Sequence, residues 1–263
     1  MAIKNLLIRP KAKAARPVCP RAEVAPGGAE ATIWLYDIID EWYGVDPGQL
    51  CQEIAAMIGV ETIHLRINSP GGDVFGARAI IAALRASGAK VIAHIDGLAA
   101  SAATFIAVNC DEVRITDGGM FMIHQAATVA AGDAEDLRQV ADLLDKVDGT
   151  ICADYVRKTG QTTEQISAWM EAETWFTADE AKAAGFVDVI DGAGAATVDN
   201  SCWDFSSCKN APKALLQPSA APAEPVVKPA PVSNPVADPV ENSVSDDGRE
   251  AAKRRLVLLN LNC

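Results

Sequence analysis

The sequence predicts an α/β fold in which strands and helices alternate through residues 30–192, followed by a Pro/Ala-rich tail too poor in large apolar side chains to build a core. Three observations predict it. Short apolar runs with strand character alternate with stretches of helical periodicity. The chain is 49% hydrophobic over 263 residues, enough for one sizeable core. Beyond Gly192 the composition changes to Ala, Pro and Val, with prolines at 212, 218, 222, 225, 229, 231, 235 and 239.

The elements follow in order. ATIWLYDII (31–39) reads as a strand, and 47–58 as a helix with Leu50, Ile54, Met57 and Ile58 on one face. ETIHLRIN (61–68) is a second strand, followed by the turn SPGGD and a helix over 74–86. KVIAHID (90–96) is a third, and after GLAAS a short helix begins at Ser101. DEVRIT and MFMIHQ are two further strands. A long helix over 133–158 carries apolar residues at 137, 140, 144, 147 and 151, the spacing of one buried stripe. Helices near 163–171 and 178–184 and a strand at 186–190 close the unit. Repeated strand–strand–helix units imply parallel pairing with right-handed crossovers.

Three zones result: a basic arm over 1–29, the folded domain over 30–192, and a linker and tail over 193–263 ending in a short basic helix over 248–260. The arm carries Lys4, Arg9, Lys11, Lys13, Arg16 and Arg21 with no acid before residue 23. The whole chain nevertheless has a net charge of −12, which argues against nucleic acid as its partner. Its seven cysteines form no CxxC pair and have no histidine at ligand spacing, so neither a metal site nor a disulfide framework is expected, and a reducing cytoplasm fits best. The short apolar run before Arg9, Leu6-Leu7-Ile8, is too short for a signal peptide, and no stretch reaches membrane-span length.

Three local settings bear on chemistry. Ser101 ends a run of small residues, Gly-Leu-Ala-Ala-Ser, where a strand meets a helix start. Small neighbours admit a substrate backbone, and unpaired N–H groups at a helix start suit a developing oxyanion; the plain alternative is a serine that caps the helix. Pro70-Gly71-Gly72 can turn backbone N–H groups toward a ligand, or merely reverse the chain. His124 sits where a strand meets a loop, whereas His64 and His94 lie mid-strand.

Taken together, INSPGG (67–72), GLAAS (97–101) and MIHQ (122–125), with the closing residues Phe176, Thr177, Ala178, Glu180, Ala181, Gly185 and Asp188, resemble the proteolytic subunit of Clp proteases in both order and interval. The resemblance covers about 31–190 and implies a spiral of repeated β-β-α units shared with crotonase-type enzymes. It implies Ser101 as nucleophile, His124 as general base, and the N–H groups of Gly72 and Ala102 as oxyanion hole, with no cofactor and no metal. The family's third member is an Asp; the ungapped match places Glu173 there, with Glu171 as local rival. A ring-forming homo-oligomer acting on protein substrates is implied, with the long helix in subunit contacts. The basic arm, Glu171–Trp175 and the tail resemble ClpP-like head maturation proteases of phages and prophages, whose implied substrates are capsid and scaffold proteins, including the chain itself. The alternatives are a housekeeping subunit with a separate ATPase (the chain has no GxxxxGK[ST] motif of its own) and an inactive scaffold on the same fold. A Ser–Lys dyad through Lys90 has no supporting motif.

Overall fold

The computed structural model describes residues 9–10, 22–192 and 203–213, all within the unit Met1–Ala220. The first residues of the basic arm, most of the Pro/Ala-rich segment and the helix expected over 248–260 lie outside the described residues.

The elements run β1 (Arg9–Pro10), β2 (Ala22–Val24), β3 (Glu30–Leu35), α1 (Pro47–Ala55), β4 (Thr62–Ser69), α2 (Val74–Ser87), β5 (Lys90–Ala100), α3 (Ala102–Ala107), β6 (Glu112–Thr116), β7 (Met120–Ile123), α4 (Ala134–Thr159), α5 (Thr163–Glu171), β8 (Thr174–Thr177), α6 (Ala178–Ala184), β9 (Val189–Asp191) and β10 (Trp203–Asp204). The main sheet has the order β2-β3-β4-β5-β6-β9, parallel except at the β2 edge. The strands alternate as a half-buried sheet requires: Ile63, Leu65 and Ile67 of β4 are buried, while Thr62, His64 and Arg66 between them are partly exposed. The helices start on good caps. Asp46 accepts from the amides of Gly48 and Gln49 ahead of Pro47, and Asp73 accepts from Phe75, so both chain reversals are fixed by short acidic side chains.

The site is built by strand β5. Its first half, Ile92 to Ile95, pairs with β6, and its last residues, Leu98 to Ala100, pair in parallel with β7. One strand thus serves two neighbours in succession, with Gly97 between them. The small side chains that suggest a loop after 96 belong to the strand's second half. The register against β4 shifts between Ile67 and Ser69, and the Asn68 side chain fills the gap by accepting from the Leu98 amide at 3.1 Å.

Other boundaries depart from the sequence expectation. The strand expected over 31–39 stops at Leu35, and Ile39 leaves the edge to bond the glycine turn: its amide donates to Gly71 O at 2.8 Å and its carbonyl accepts from Asp73 at 2.8 Å. Helix α1 ends at Ala55, leaving Ile58 92% exposed. In α4 only Val147 and Ile151 of the expected stripe are buried; Leu137 is 45% exposed. Strand β8 has no counterpart in the sequence reading. Nor do 22–24 behave as a loose arm, since they pair with β3. Residues 203–213, assigned by composition to the linker, pack on the domain: Trp203 and Phe205 are buried against Leu98, Ala100 and Met122. Two aromatic side chains suffice to anchor a short segment whose neighbours are polar or proline-rich.

Candidate active site

Ser101 lies one residue beyond β5. Its amide donates to Met122 O at 2.9 Å, which locks the end of β5 to β7. Although it stands at the N-cap of α3, its side chain makes no capping bond. Its backbone takes φ 53°, a left-handed conformation costly for a residue with a Cβ. The hydroxyl instead meets Nε2 of His124 at 2.7 Å, both side chains being buried. The carbonyl of Ser101 accepts from the Thr104 amide at 2.9 Å and from Thr104 Oγ1 at 2.5 Å, and that hydroxyl is itself 2.6 Å from the buried Tyr155 hydroxyl. The strained turn is therefore held from behind by hydrogen bonds.

His124 follows β7. Strand β8 runs antiparallel beside it, with Ile123 opposite Thr174 and Met122 opposite Trp175. Glu173 directly precedes β8 and His124 directly follows β7, so this pairing brings the two together, and the Glu173 charge is felt at the imidazole. The helix end joins in, as Met170 O accepts from both Gln125 and Glu173 amides at 3.2 Å. Glu173 is 3% exposed and also left-handed, at φ 49°. Its Oε1 accepts from Trp175 Nε1 at 3.2 Å and the Asn210 amide at 3.0 Å; its Oε2 accepts from the Lys209 amide at 3.1 Å. Glu171, the local rival, is exposed at the end of α5. Burial pushes the His124 imidazole down to about 4, against the opposing pull of Glu173 and with help from Lys209. The ring is therefore neutral near pH 7 and able to accept a proton from a hydroxyl.

The glycine turn lies directly against the serine. A Cβ on Gly71 would come within 2.6 Å of Ala100 O, 2.7 Å of Ala102 N and 2.8 Å of Ser101 Cβ. A Cβ on Gly72, at φ 146°, would lie 2.3 Å from Ile39 O. Both positions thus exclude any side chain. Ser69, whose hydroxyl donates to Asp37 O at 2.6 Å and accepts from Gly71 N at 3.1 Å, sets the turn's entry. A recess of about 10 Å³ beside Ser101 and His124 is walled by Val74, Phe105, Ala126, Ala127, Ile151 and Tyr155. A larger cavity of about 630 Å³ between α4 and α5 includes Gln125 but neither Ser101 nor His124.

Of the expected residues, Ser101, His124 and Glu173 come together with the Gly71-Gly72 turn, and Ala102 begins the helix behind the serine. Lys90 does not join them. It sits at the far end of β5, about 36 Å of extended chain from Ser101 at ~3.3 Å per residue, and faces Glu112 at 3.4 Å. Sequence reasoning missed Asn68, Ser69, Thr104 and Tyr155 as supports, and missed 209–210. The Asn-Ser pair ahead of Pro70 was a readable turn signal; nothing local marks the others. Among the described residues no group of His, Cys, Asp and Glu side chains could hold a metal ion, and no helix is long and apolar enough to cross a membrane.

The sequence profile of a family described as Clp protease matches residues 50–193. The chain is similar to the ATP-dependent Clp protease proteolytic subunit of Hordeum vulgare, 31% identical over 196 residues, covering 67% of this chain and 88% of that protein. It is also similar to ATP-dependent Clp protease proteolytic subunit 2 of Tropheryma whipplei (strain Twist), 29% identical over 170 residues, covering 61% of this chain and 91% of that protein. The subunit 2 of Rhodococcus jostii (strain RHA1) is 32% identical over 147 residues, covering 54% and 75%.

Proposed function

Because the chain belongs to the Clp protease family, we propose that it is a serine endopeptidase in which Ser101 is the nucleophile, His124 the general base and Glu173 the acid that orients the imidazole. The observation that carries this reading is the 2.7 Å contact between Ser101 Oγ and His124 Nε2, on a serine strained at φ 53° whose side chain makes no capping bond. His124 takes the hydroxyl proton as Oγ attacks the scissile carbonyl, and the Gly72 and Ala102 amides stabilise the tetrahedral anion. His124 then protonates the departing amine, and water repeats the sequence on the acyl-enzyme. Each amide contributes a factor of ~10²–10³ in rate when aimed at the oxyanion. A carboxylate offers about four lone-pair sites. Trp175, Lys209 and Asn210 engage three of those on Glu173, leaving one for the imidazole N–H.

The substrates we assign are protein chains of a phage head, capsid or scaffold, processed without ATP by a ring of identical subunits. The basic arm, the Glu in place of the family's Asp and the Pro/Ala-rich tail support this assignment. A second reading, a proteolytic subunit fed by a separate ATPase, is favoured by the relatives, which are ATP-dependent Clp protease proteolytic subunits. Co-expression of the chain or its Ser101→Ala variant with neighbouring structural proteins, with new termini mapped by mass spectrometry, separates the readings. Fragments made only by the native chain support a peptidase. Trimming of a coat protein supports the maturation role, and identical fragments from both chains refute the peptidase.

A further inference from the structure

The segment 203–213 brings two main-chain donors to Glu173 from outside the family match at 50–193, and its sequence belongs by composition to the tail. Its anchoring is apolar. Trp203 and Phe205 are buried against Leu98 and Ala100, which lead into Ser101, and against Met122, two residues before His124. The Phe205 ring meets Trp175 edge-on, centroids 5.8 Å apart at 78°, and the same Trp175 donates its indole N–H to Glu173. From this anchor the chain turns, Cys208 N bonding Phe205 O at 3.0 Å, so that consecutive amides at 209 and 210 point at one carboxylate. Asn210 fixes the approach by donating its side-chain Nδ2 to Ala172 O at 2.6 Å, on the residue just before Glu173. Strand β10 at the start of the segment is itself paired with β1 of the arm.

Glu173 needs such support. A left-handed non-glycine residue persists only where its surroundings over-determine it. A buried carboxylate must also find donors for its lone pairs. We propose that residues 203–213 are a positioning strap for the peptidase site: the Lys209 and Asn210 amides hold the Glu173 carboxylate at the place from which it orients His124. The inference rests on the reading of Glu173 as the third member of the site. It makes the competence of Ser101 depend on a segment that lies beyond the family match at 50–193. The strap acts through Glu173, so its residues are positioning residues.

The test uses full-length variants and an unfolded, fluorescently labelled casein as substrate. Asn210→Pro removes one amide donor, whereas Asn210→Ala keeps it. A hydrogen bond to a charged acceptor is strong enough that Asn210→Pro should lower kcat about tenfold with KM within about twofold, and Asn210→Ala should lose less than about threefold. Glu173→Gln combined with Asn210→Pro should be no slower than Glu173→Gln alone, because the strap has no other route to the chemistry. A merely structural defect would instead multiply with the first loss. If Glu173→Gln is impaired while Asn210→Pro keeps full kcat, the strap inference fails and the reading of Glu173 stands. If Glu173→Gln keeps full kcat, that reading and the strap fall together. Should Asn210→Pro lose its cooperative thermal transition, Trp203→Ala, which undocks the segment from its anchor, replaces it in the same comparison with Glu173→Gln.

Discussion

Replacing Gly71 by alanine tests whether the glycine turn and the serine form one rigid unit. Gly71 has φ 90°, so any side chain there begins with a backbone cost of roughly 1–2 kcal/mol. The new Cβ would also lie 2.6–2.8 Å from Ala100 O, Ala102 N and Ser101 Cβ, against 3.4 Å for ordinary contact. None of these atoms is the end of a flexible side chain, so the turn and the serine must separate, at a further ~1–3 kcal/mol. The total is about 2–5 kcal/mol of stability, and each kcal/mol lowers Tm by ~2–4 °C in a domain of this size. The kinetic effect should exceed the thermal one in consequence, because a misplacement near 1 Å at a reacting centre costs about 10²-fold in rate. Gly88→Ala is the matched control. It has φ 73° but open space around its Cβ, so it carries the backbone cost without the clash. We expect Gly71→Ala to lose about 100-fold in casein hydrolysis and Gly88→Ala to melt slightly earlier with unchanged kcat. Equal behaviour of the two variants would refute the close approach of Gly71 to Ser101.

Three further outcomes follow from the same geometry. Because burial holds His124 down to about 4, kcat/KM should stay level from neutral pH to about 5 and fall with a midpoint near 4; Glu173→Gln, which removes the opposing negative charge, should move that limb lower still. The same group affects stability. Its folded pKa lies below the ordinary 6.5, so the unfolded chain binds the extra proton first, and roughly 3 kcal/mol present above pH 6.5 is lost as pH falls toward 4; urea melts of the native chain and His124→Gln across that window measure the difference. Asn68→Ala should cost about 1–3 kcal/mol in the same melts, since it strands the buried Leu98 amide at the β4–β5 register shift.

The order of strands and helices was readable because each apolar run kept one period. Strand β5 was read short because Gly97 and the alanines after it carry no strand propensity; its second half exists because β7 pairs with it, a tertiary cause no local window contains. The stripe on α4 was read as core along its whole length, yet Leu137 is exposed and Val140 and Leu144 are only partly buried. Periodicity reports an apolar face and not what covers it. Within the site, Ser101 and His124 stood out by order and spacing with Gly72, while the burial that separates Glu173 from Glu171 depends on β8 lying beside β7. The Lys209 and Asn210 amides were invisible, because a backbone donor has no sequence signature and its anchors, Trp203 and Phe205, are two residues in a polar stretch.

A fluorophosphonate measures whether His124 activates Ser101 as a nucleophile: the native chain, Ser101→Ala and His124→Ala are incubated with it and the adduct is located by peptide mass spectrometry. We expect one adduct per chain, on Ser101, absent from Ser101→Ala and formed at least about 10²-fold more slowly in His124→Ala. An adduct on another residue, or equal labelling of the native chain and Ser101→Ala, would contradict this expectation.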